Sequence, residues 1–137
     1  MADITIAAAT VGYGVGAKIK SFLTAGETIS PGEAVYLKAS DSKYWLALNT
    51  TEAAATVGGI ALTEAVADAQ FSILNSGPLT DSSAPFTEGK AYELSSTAGG
   101  VAPAGDAGST DFGTGLGVAT SSSTLQVAIS VSGGQVA

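Results

Sequence analysis

Short apolar runs, separated by polar and small residues, recur along the whole chain. The Pro31-Gly32 pair predicts a turn, because proline fixes φ and glycine tolerates positive φ, and residues 34–37 after it form a β-prone apolar run. A weaker copy of this order follows downstream, where Gly89 precedes residues 91–94. Further runs of this kind lie at residues 58–62, 70–74, 115–119 and 125–129. Their spacing is typical of all-β sandwiches and barrels, with little helix.

The order of turn, strand and glycine-led run occurs twice. The separation between Gly32 and Gly89 along the chain is nearly the same as that between Phe71 and Val127. This nearly constant offset predicts two related halves, residues 21–77 and 78–131, within a single β domain of residues 21–137. The stretch of residues 75–78, Asn-Ser-Gly-Pro, predicts a turn at the boundary between them.

Residues 1–20 differ from the rest of the chain. The segment contains four larger apolar residues, Ile4, Ile6, Val11 and Tyr13. Their neighbours in sequence are mostly alanines and glycines, which are too small to bury them. Glycines weaken an isolated strand but allow another backbone to approach closely. The segment is therefore predicted to be an extended N-terminal arm that packs on a neighbour or along its own sheet. The alternative is a frayed terminus.

Other local signals give more specific predictions. Residues 50–55 begin with a capping threonine and continue into alanines, which predicts one or two turns of helix. Trp45, in a run of strand residues, is expected in the core. A long surface loop is predicted between residues 98 and 114, and a frayed tail over residues 132–137.

Charge and hydropathy exclude several classes of partner. The formal net charge is −7, with five lysines and no arginine. Such a surface should repel a phosphate backbone, so no nucleic-acid partner is expected. No apolar run approaches the roughly 18 residues of a membrane helix. The first residues lack the basic region of a secretory signal, so we expect no export by that route and no membrane partner.

The chain lacks the residue types that most catalysis requires. Without histidine and cysteine, Ser-His-Asp and Cys-His catalysis and the usual zinc sites are excluded. The acidic pairs Glu27 with Glu33 and Glu64 with Asp68 are interpreted as surface acids rather than a glycosidase pair. A calcium site at three polar residues of the predicted long loop is disfavoured, because the spacing of Asp106, Ser109 and Asp111 does not match an EF-hand. We therefore predict no catalytic, metal or cofactor residue, no small-molecule substrate and no enzymatic activity.

One pattern of small and apolar residues resembles a known family. It consists of the strand at residues 32–37, Gly-Glu-Ala-Val-Tyr-Leu, the return strand at residues 44–47, and the alanine-rich turn and "Gly-Ile-Ala" strand at residues 53–62. This order is similar to that of the small capsid decoration proteins of tailed bacteriophages, also called cement or head-stabilising proteins. The resemblance is strongest over residues 26–74, and residues 86–130 correspond to a degenerate second copy.

The resemblance implies a compact β-barrel or β-tulip-like sandwich and a structural role in the virion. Such a protein would be made in the host cytoplasm and would bind the outer capsid surface as a homotrimer. It would bridge neighbouring subunits of the major capsid protein. Ile4, Ile6, Val11 and Tyr13 are the expected anchors of the arm on its partner. Deletion of residues 2–16 is expected to abolish this binding and to leave the β core folded.

Other β-rich structural proteins remain as alternatives. A phage tail or fibre component would share the glycine-rich β character, but it would favour long fibrous repeats, which this chain lacks. A bacterial surface or pilus subunit would require an export signal.

Overall fold

The computed structural model describes residues 3–104 and 112–135, and these residues form β-strands without any α-helix. A 3₁₀ turn at Ala8–Thr10 precedes the first strand. The strands in chain order are β1 (Val11–Tyr13), β2 (Lys18–Thr24), β3 (Ala34–Lys38), β4 (Lys43–Leu46), β5 (Val57–Ala61), β6 (Gln70–Asp81), β7 (Ala91–Leu94), β8 (Val101–Pro103), β9 (Phe112–Ser121) and β10 (Thr124–Gln135). The predicted all-β fold is confirmed.

All ten strands belong to one antiparallel sheet that curls into a half-barrel. The sheet order is β4-β3-β5-β6-β10-β9-β7-β8. Strand β6 is the centre of this arrangement, because β5 and β10 pair with one side of it and β1 and β2 pair with the other side. The first part of the sheet curls so far that Ala25, just after β2, forms a bridge with Tyr44 of β4.

The predicted turn at residues 75–78 is wrong, because β6 continues through it to Asp81. Gly77 has a φ of 108°, and a Cβ there would lie 2.7 Å from the Cα of Ala17. The Gly-Pro pair therefore provides an irregularity inside a long strand and room for the neighbouring backbone. The sequence signal for a chain reversal instead marks the place where β6 changes partners from β5 to β10.

The two halves of the chain share one strand order. The first half is arranged β4-β3-β5-β6 and the second β8-β7-β9-β10. Both contain a bulge at the corresponding position, between Val35 and Tyr36 on β3 and between Tyr92 and Glu93 on β7. The change of partners on β6 falls at Gly77, where the boundary was predicted. An origin by duplication stays a prediction.

The strand pairing also corrects the offset between the halves. The amide of Ala47 donates to the carbonyl of Ala34, and that of Ala104 to the carbonyl of Ala91, so the offset between Gly32 and Gly89 also holds here. Ile73 of β6 lies opposite Ala61 of β5, and Leu125 of β10 lies opposite Ala119 of β9. The offset along the sequence between β6 and β10 is therefore smaller than the offset between β3 and β7. Phe71 and Val127 are therefore not equivalent. The loop before β6 is longer than the β9–β10 turn, which shortens the offset.

The curled sheet separates two apolar cores. Successive residues of a strand point to opposite faces, and both faces of β6 are buried at Ile73 and Leu74. Ile73 belongs to a small cluster inside the curled first half, whereas Leu74 belongs to a larger cluster between the halves. The larger cluster includes Tyr92, whose hydroxyl accepts a hydrogen bond from the amide of Thr87 at 2.8 Å.

Trp45 does not lie in either core, contrary to prediction. It is half-buried, because Tyr44 takes the inward position on β4. Its indole N–H donates to Asp41 Oδ2 at 3.1 Å, and Lys38 Nζ lies 4.6 Å from its ring centre. The ring packs against Gly26 so closely that a Cβ there would clash with it. Alternation along β4 explains why only one of two adjacent aromatics is buried.

Two other local predictions are settled by the backbone. Residues 50–55 form turns rather than a helix, with the amide of Ala55 donating to the carbonyl of Thr51 at 3.0 Å. Strand β10 extends to Gln135, which pairs with Phe112 of β9, so the frayed tail predicted over residues 132–137 is wrong as far as Gln135. Residues 136–137 lie outside the described residues. Residues 105–111, the middle of the predicted long loop with its calcium candidates, lie outside the described residues.

Candidate partner-binding edge

The predicted arm lies along the chain's own sheet. Ile4, Ile6 and Val11 are partly buried and pack against the larger core. Ile6 reaches the turn at Gly32, where a Cβ would lie 2.6 Å from its Cγ2. Of the four predicted anchors, Tyr13 is the one that faces solvent, with 57% of its surface exposed.

A buried carboxylate holds the arm in place. Asp81, at the end of β6, accepts hydrogen bonds from the amide of Ala7 at 2.8 Å and from the Thr10 hydroxyl. Ser83 donates to it through both its amide and its hydroxyl. Burial acts to raise the pKa of Asp81, but these hydrogen bonds outweigh it and hold the pKa below its ordinary value. The carboxylate is therefore charged at neutral pH and fixes the 3₁₀ turn against the sheet.

Two of the outer strand edges are covered. At β8 the amide of Ile4 donates to the carbonyl of Val101 at 2.9 Å, and Pro103 has no amide hydrogen to offer. At β4 the amide of Gly26 donates to the carbonyl of Tyr44 at 2.7 Å. Unpaired edges invite association with other chains, and these contacts protect them against it.

The remaining edge is open. Residues 11–22 contain β1 and most of β2, and β6 is the only strand paired with them in the described part of the chain. We refer to residues 11–22 as the open edge. Its side chains include four exposed apolar residues, Tyr13, Val15, Ile19 and Phe22. An edge with this much apolar surface is typical of an interaction site.

Phe22 is the most unusual residue of the open edge. Its φ is 61°, a conformation that is strained for a bulky side chain, and 81% of its surface is exposed. It lies in the irregular stretch between Lys20 and Leu23, where the pairing of β2 with β6 shifts register. Strain and apolar exposure at one residue both cost free energy in the isolated chain, which is a pattern found at functional positions.

The two faces of the open edge differ in chemistry. Ile19 and Ser21 line a groove of about 440 Å³ together with Tyr13 and Leu62. Lys20 lines the opposite side, beside Ser76 and Ile129, and none of the described residues that line this second groove is acidic. The alternation of β2 thus places an apolar and hydroxyl-bearing face on one side and a cationic face on the other.

Glu27, Glu33 and Asp68, which belong to the acidic pairs considered from the sequence, have local structural contacts. Glu27 accepts a hydrogen bond from the amide of Leu46 at 3.0 Å, and Glu33 accepts one from the amide of Ser30 at 2.6 Å. Asp68 forms an ion pair with Lys43 at 2.6 Å, and this hydrogen bond raises the pKa of Lys43. These carboxylates fix turns and strand ends.

The described residues offer neither a cluster of metal ligands nor a membrane-spanning helix. No group of three or more histidine, cysteine, aspartate or glutamate side chains is placed to hold a metal ion there. Over the same residues, no helix has the length and apolar character required to span a bilayer.

Comparison of the chain with protein families, with curated proteins and with solved structures found no match in any of the three.

The sequence identified part of the open edge. Residues 1–20 were predicted to form an arm that contacts a partner, and Tyr13 was one of its predicted anchors. Ile19 and Phe22 were missed, because alternating apolar residues normally indicate a core face. The exposure of Phe22 depends on a local register shift, for which the sequence carries no recognisable signal.

Proposed function

We propose that the protein is a structural virion protein, a decoration protein that binds the outer surface of a phage capsid. It would stabilise the capsid by bridging neighbouring subunits of the major capsid protein. The observation that carries the proposal is the open edge, an apolar and unpaired strand edge beside outer edges that are covered in the described part of the chain. The resemblance of residues 26–74 to capsid decoration proteins supports the major capsid protein as the partner.

The energetics of such binding are favourable. Burial of apolar surface contributes about 25 cal/mol per Å², so covering Tyr13, Val15 and Phe22 would stabilise a complex. Main-chain hydrogen bonds to the unpaired edge would fix the direction and the register of a bound partner strand. Several copies acting together, as in the predicted homotrimer, would gain further from their high effective concentration.

The structure changes how the proposal should be tested. Deletion of residues 2–16 would remove Ile4, Ile6 and Val11 from the core, and would also remove the partners of Asp81. The deletion would therefore also perturb the core, and a loss of binding after it would not separate binding from folding. Point substitutions at exposed residues separate binding from folding.

The test uses capsids of the phage that encodes the chain, assembled without it. Wild-type protein should sediment with these capsids, the Phe22→Gly variant should bind at least several-fold more weakly, and Val66→Gly should bind like the wild type. Val66 is a suitable control because it is also apolar and exposed but lies outside residues 11–22, in the loop between β5 and β6. Equal binding by all three proteins would contradict the proposal. Binding to tails rather than to capsids would favour the tail or fibre alternative.

A further inference from the structure

We infer that the open edge accepts one particular kind of partner segment, an extended strand that alternates apolar and acidic side chains. The inference rests on the proposed function for the source of that strand, which would be the capsid protein. It deepens the proposal because it specifies the chemistry and the geometry of the contact. A strand added beside β2 continues the sheet, so its own side chains must alternate between the two faces.

The first face requires apolar side chains. Ile19, Tyr13 and Leu62 line the groove on this side, and none of the described residues in its lining is charged. Hydroxyls of Ser21 and Ser72 are already in contact with each other at 3.1 Å. Side chains of an added strand that point into this groove would therefore be small or medium-sized and apolar.

The second face requires acidic side chains. Lys20 lines this face, and Lys18 lies two residues before it on β2. Both lysines are exposed. Residues 4–26 contain these two lysines and no aspartate or glutamate, whereas the chain as a whole has a net charge of −7. The open edge is thus a cationic segment on an acidic protein. Opposite charges on neighbouring strands are favourable, and like charges are unfavourable.

The same charges disfavour pairing of the open edge with a second copy of itself. In an antiparallel pair of β2 strands, equivalent faces lie on the same side of the joined sheet. Lys18 and Lys20 of both copies would then share one face, with no acidic residue of β2 between them. Repulsion among these lysines makes an acidic partner the better occupant.

Phe22 marks one end of the contact. Its positive φ holds the ring away from the chain's own sheet, in the irregular stretch where β2 leaves regular pairing with β6. An added strand that runs past residues 18–21 would meet this ring. The ring would then be covered, and burial of its exposed apolar surface would contribute to binding.

The inference is tested with synthetic peptides and the full chain. One peptide alternates valine and glutamate, a second alternates valine and lysine, and a third has the composition of the first with the alternation scrambled. The glutamate peptide should bind about tenfold more tightly than the lysine peptide, and less tightly at high salt. Amide exchange should slow within residues 11–22 when it binds. The scrambled peptide should bind more weakly than the alternating one.

Charge reversal provides the decisive variant. In a Lys18→Glu, Lys20→Glu double variant the preference should switch to the lysine peptide, whereas Lys90→Glu, an exposed lysine in the turn before β7, should leave the preference unchanged. Thermal unfolding of each variant establishes that it is folded. Failure of the glutamate peptide to bind, equal binding of both charged peptides, or protection outside residues 11–22 would overturn the inference.

Two further outcomes separate the alternatives. Protection of residues 11–22 that increases with the concentration of the chain alone would show that a second copy occupies the edge, and would overturn the inference. If the peptide results are as expected but the protein does not bind capsids, the proposed function fails, whereas the chemistry of the open edge stands.

Discussion

The carboxylate of Asp81 accepts a hydrogen bond from the amide of Ala7 across 74 residues of sequence, at 2.8 Å. This contact joins the start of the described chain to the end of the central strand β6. Thr10 donates to the same carboxylate, so two residues of the arm depend on one buried charge. The position of the arm therefore follows from Asp81 as well as from the apolar contacts of Ile6 and Val11.

Replacement of Asp81 by asparagine should loosen the arm. An asparagine keeps the shape but loses the charge that strengthens the hydrogen bonds of Ala7, Thr10 and Ser83, and the free energy of unfolding should fall by about 2 kcal/mol. Urea denaturation measures this change, and amide exchange should become faster at Ala7. Glu88→Gln, the same change at an exposed position, is the control. Equal stability of the two variants would contradict the role of Asp81.

The same contact predicts a pH dependence. The pKa of Asp81 is lower in the folded state than in the unfolded state, where it is about 4. The contribution of Asp81 to the free energy of unfolding is therefore complete above the unfolded-state pKa, and it is lost as the pH falls through the folded-state pKa. Wild type and Asp81→Asn should therefore differ most in stability near neutral pH and converge in acid. Urea denaturation at a series of pH values measures the difference. A gap between the two proteins that is constant down to the lowest pH would show that charge on Asp81 is not responsible.

Phe22→Gly should separate folding from binding. Glycine adopts a positive φ without strain, and the ring it removes is mostly exposed, so the free energy of unfolding should stay within about 0.5 kcal/mol of the wild-type value or rise. Binding to capsids should weaken.

Phe71→Ala provides the contrast for this variant. Phe71 is buried beside Tyr44 in the small core, and its loss should cost about 3 kcal/mol or more. Thermal and urea unfolding compare the two variants. If Phe22→Gly destabilises the chain as much as Phe71→Ala does, then Phe22 has a structural role and does not belong to a binding edge.

Gly77 should tolerate substitution less well than Gly89. Both have positive φ, but a Cβ at Gly77 would lie 2.7 Å from the Cα of Ala17, whereas nothing lies within 4 Å of a Cβ at Gly89. We expect Gly89→Ala to lower the free energy of unfolding by about 1 kcal/mol and Gly77→Ala by about 3 kcal/mol. Chemical denaturation of both variants measures the difference. Similar losses would mean that backbone conformation, and not the close approach of the chain at Ala17, explains the glycine.

The sequence was sufficient for strands that follow a strong local signal. Gly32 and Gly89 both have the positive φ that their turns required, and β3 and β7 follow them as predicted. It was insufficient where tertiary pairing decides the outcome. Gly77 and Pro78 lie within strand β6 because β1 and β2 pair with it, and both of these strands are distant from β6 in sequence.

The candidate site was only partly predictable for the same reason. Ile6 and Val11 are apolar residues of the arm, and the sequence could not distinguish a partner surface from the chain's own core. Asp81 gave no signal, because its donors Ala7 and Thr10 lie near the other end of the chain. Exposure of Phe22 likewise depends on how β2 meets β6.

Cryo-electron microscopy of capsids incubated with the protein would locate its binding surface. We expect density for this chain on the outer capsid surface, with residues 11–22 against the major capsid protein and a capsid strand beside β2. Density on the capsid with residues 11–22 facing solvent, or density on the tail alone, would contradict this expectation.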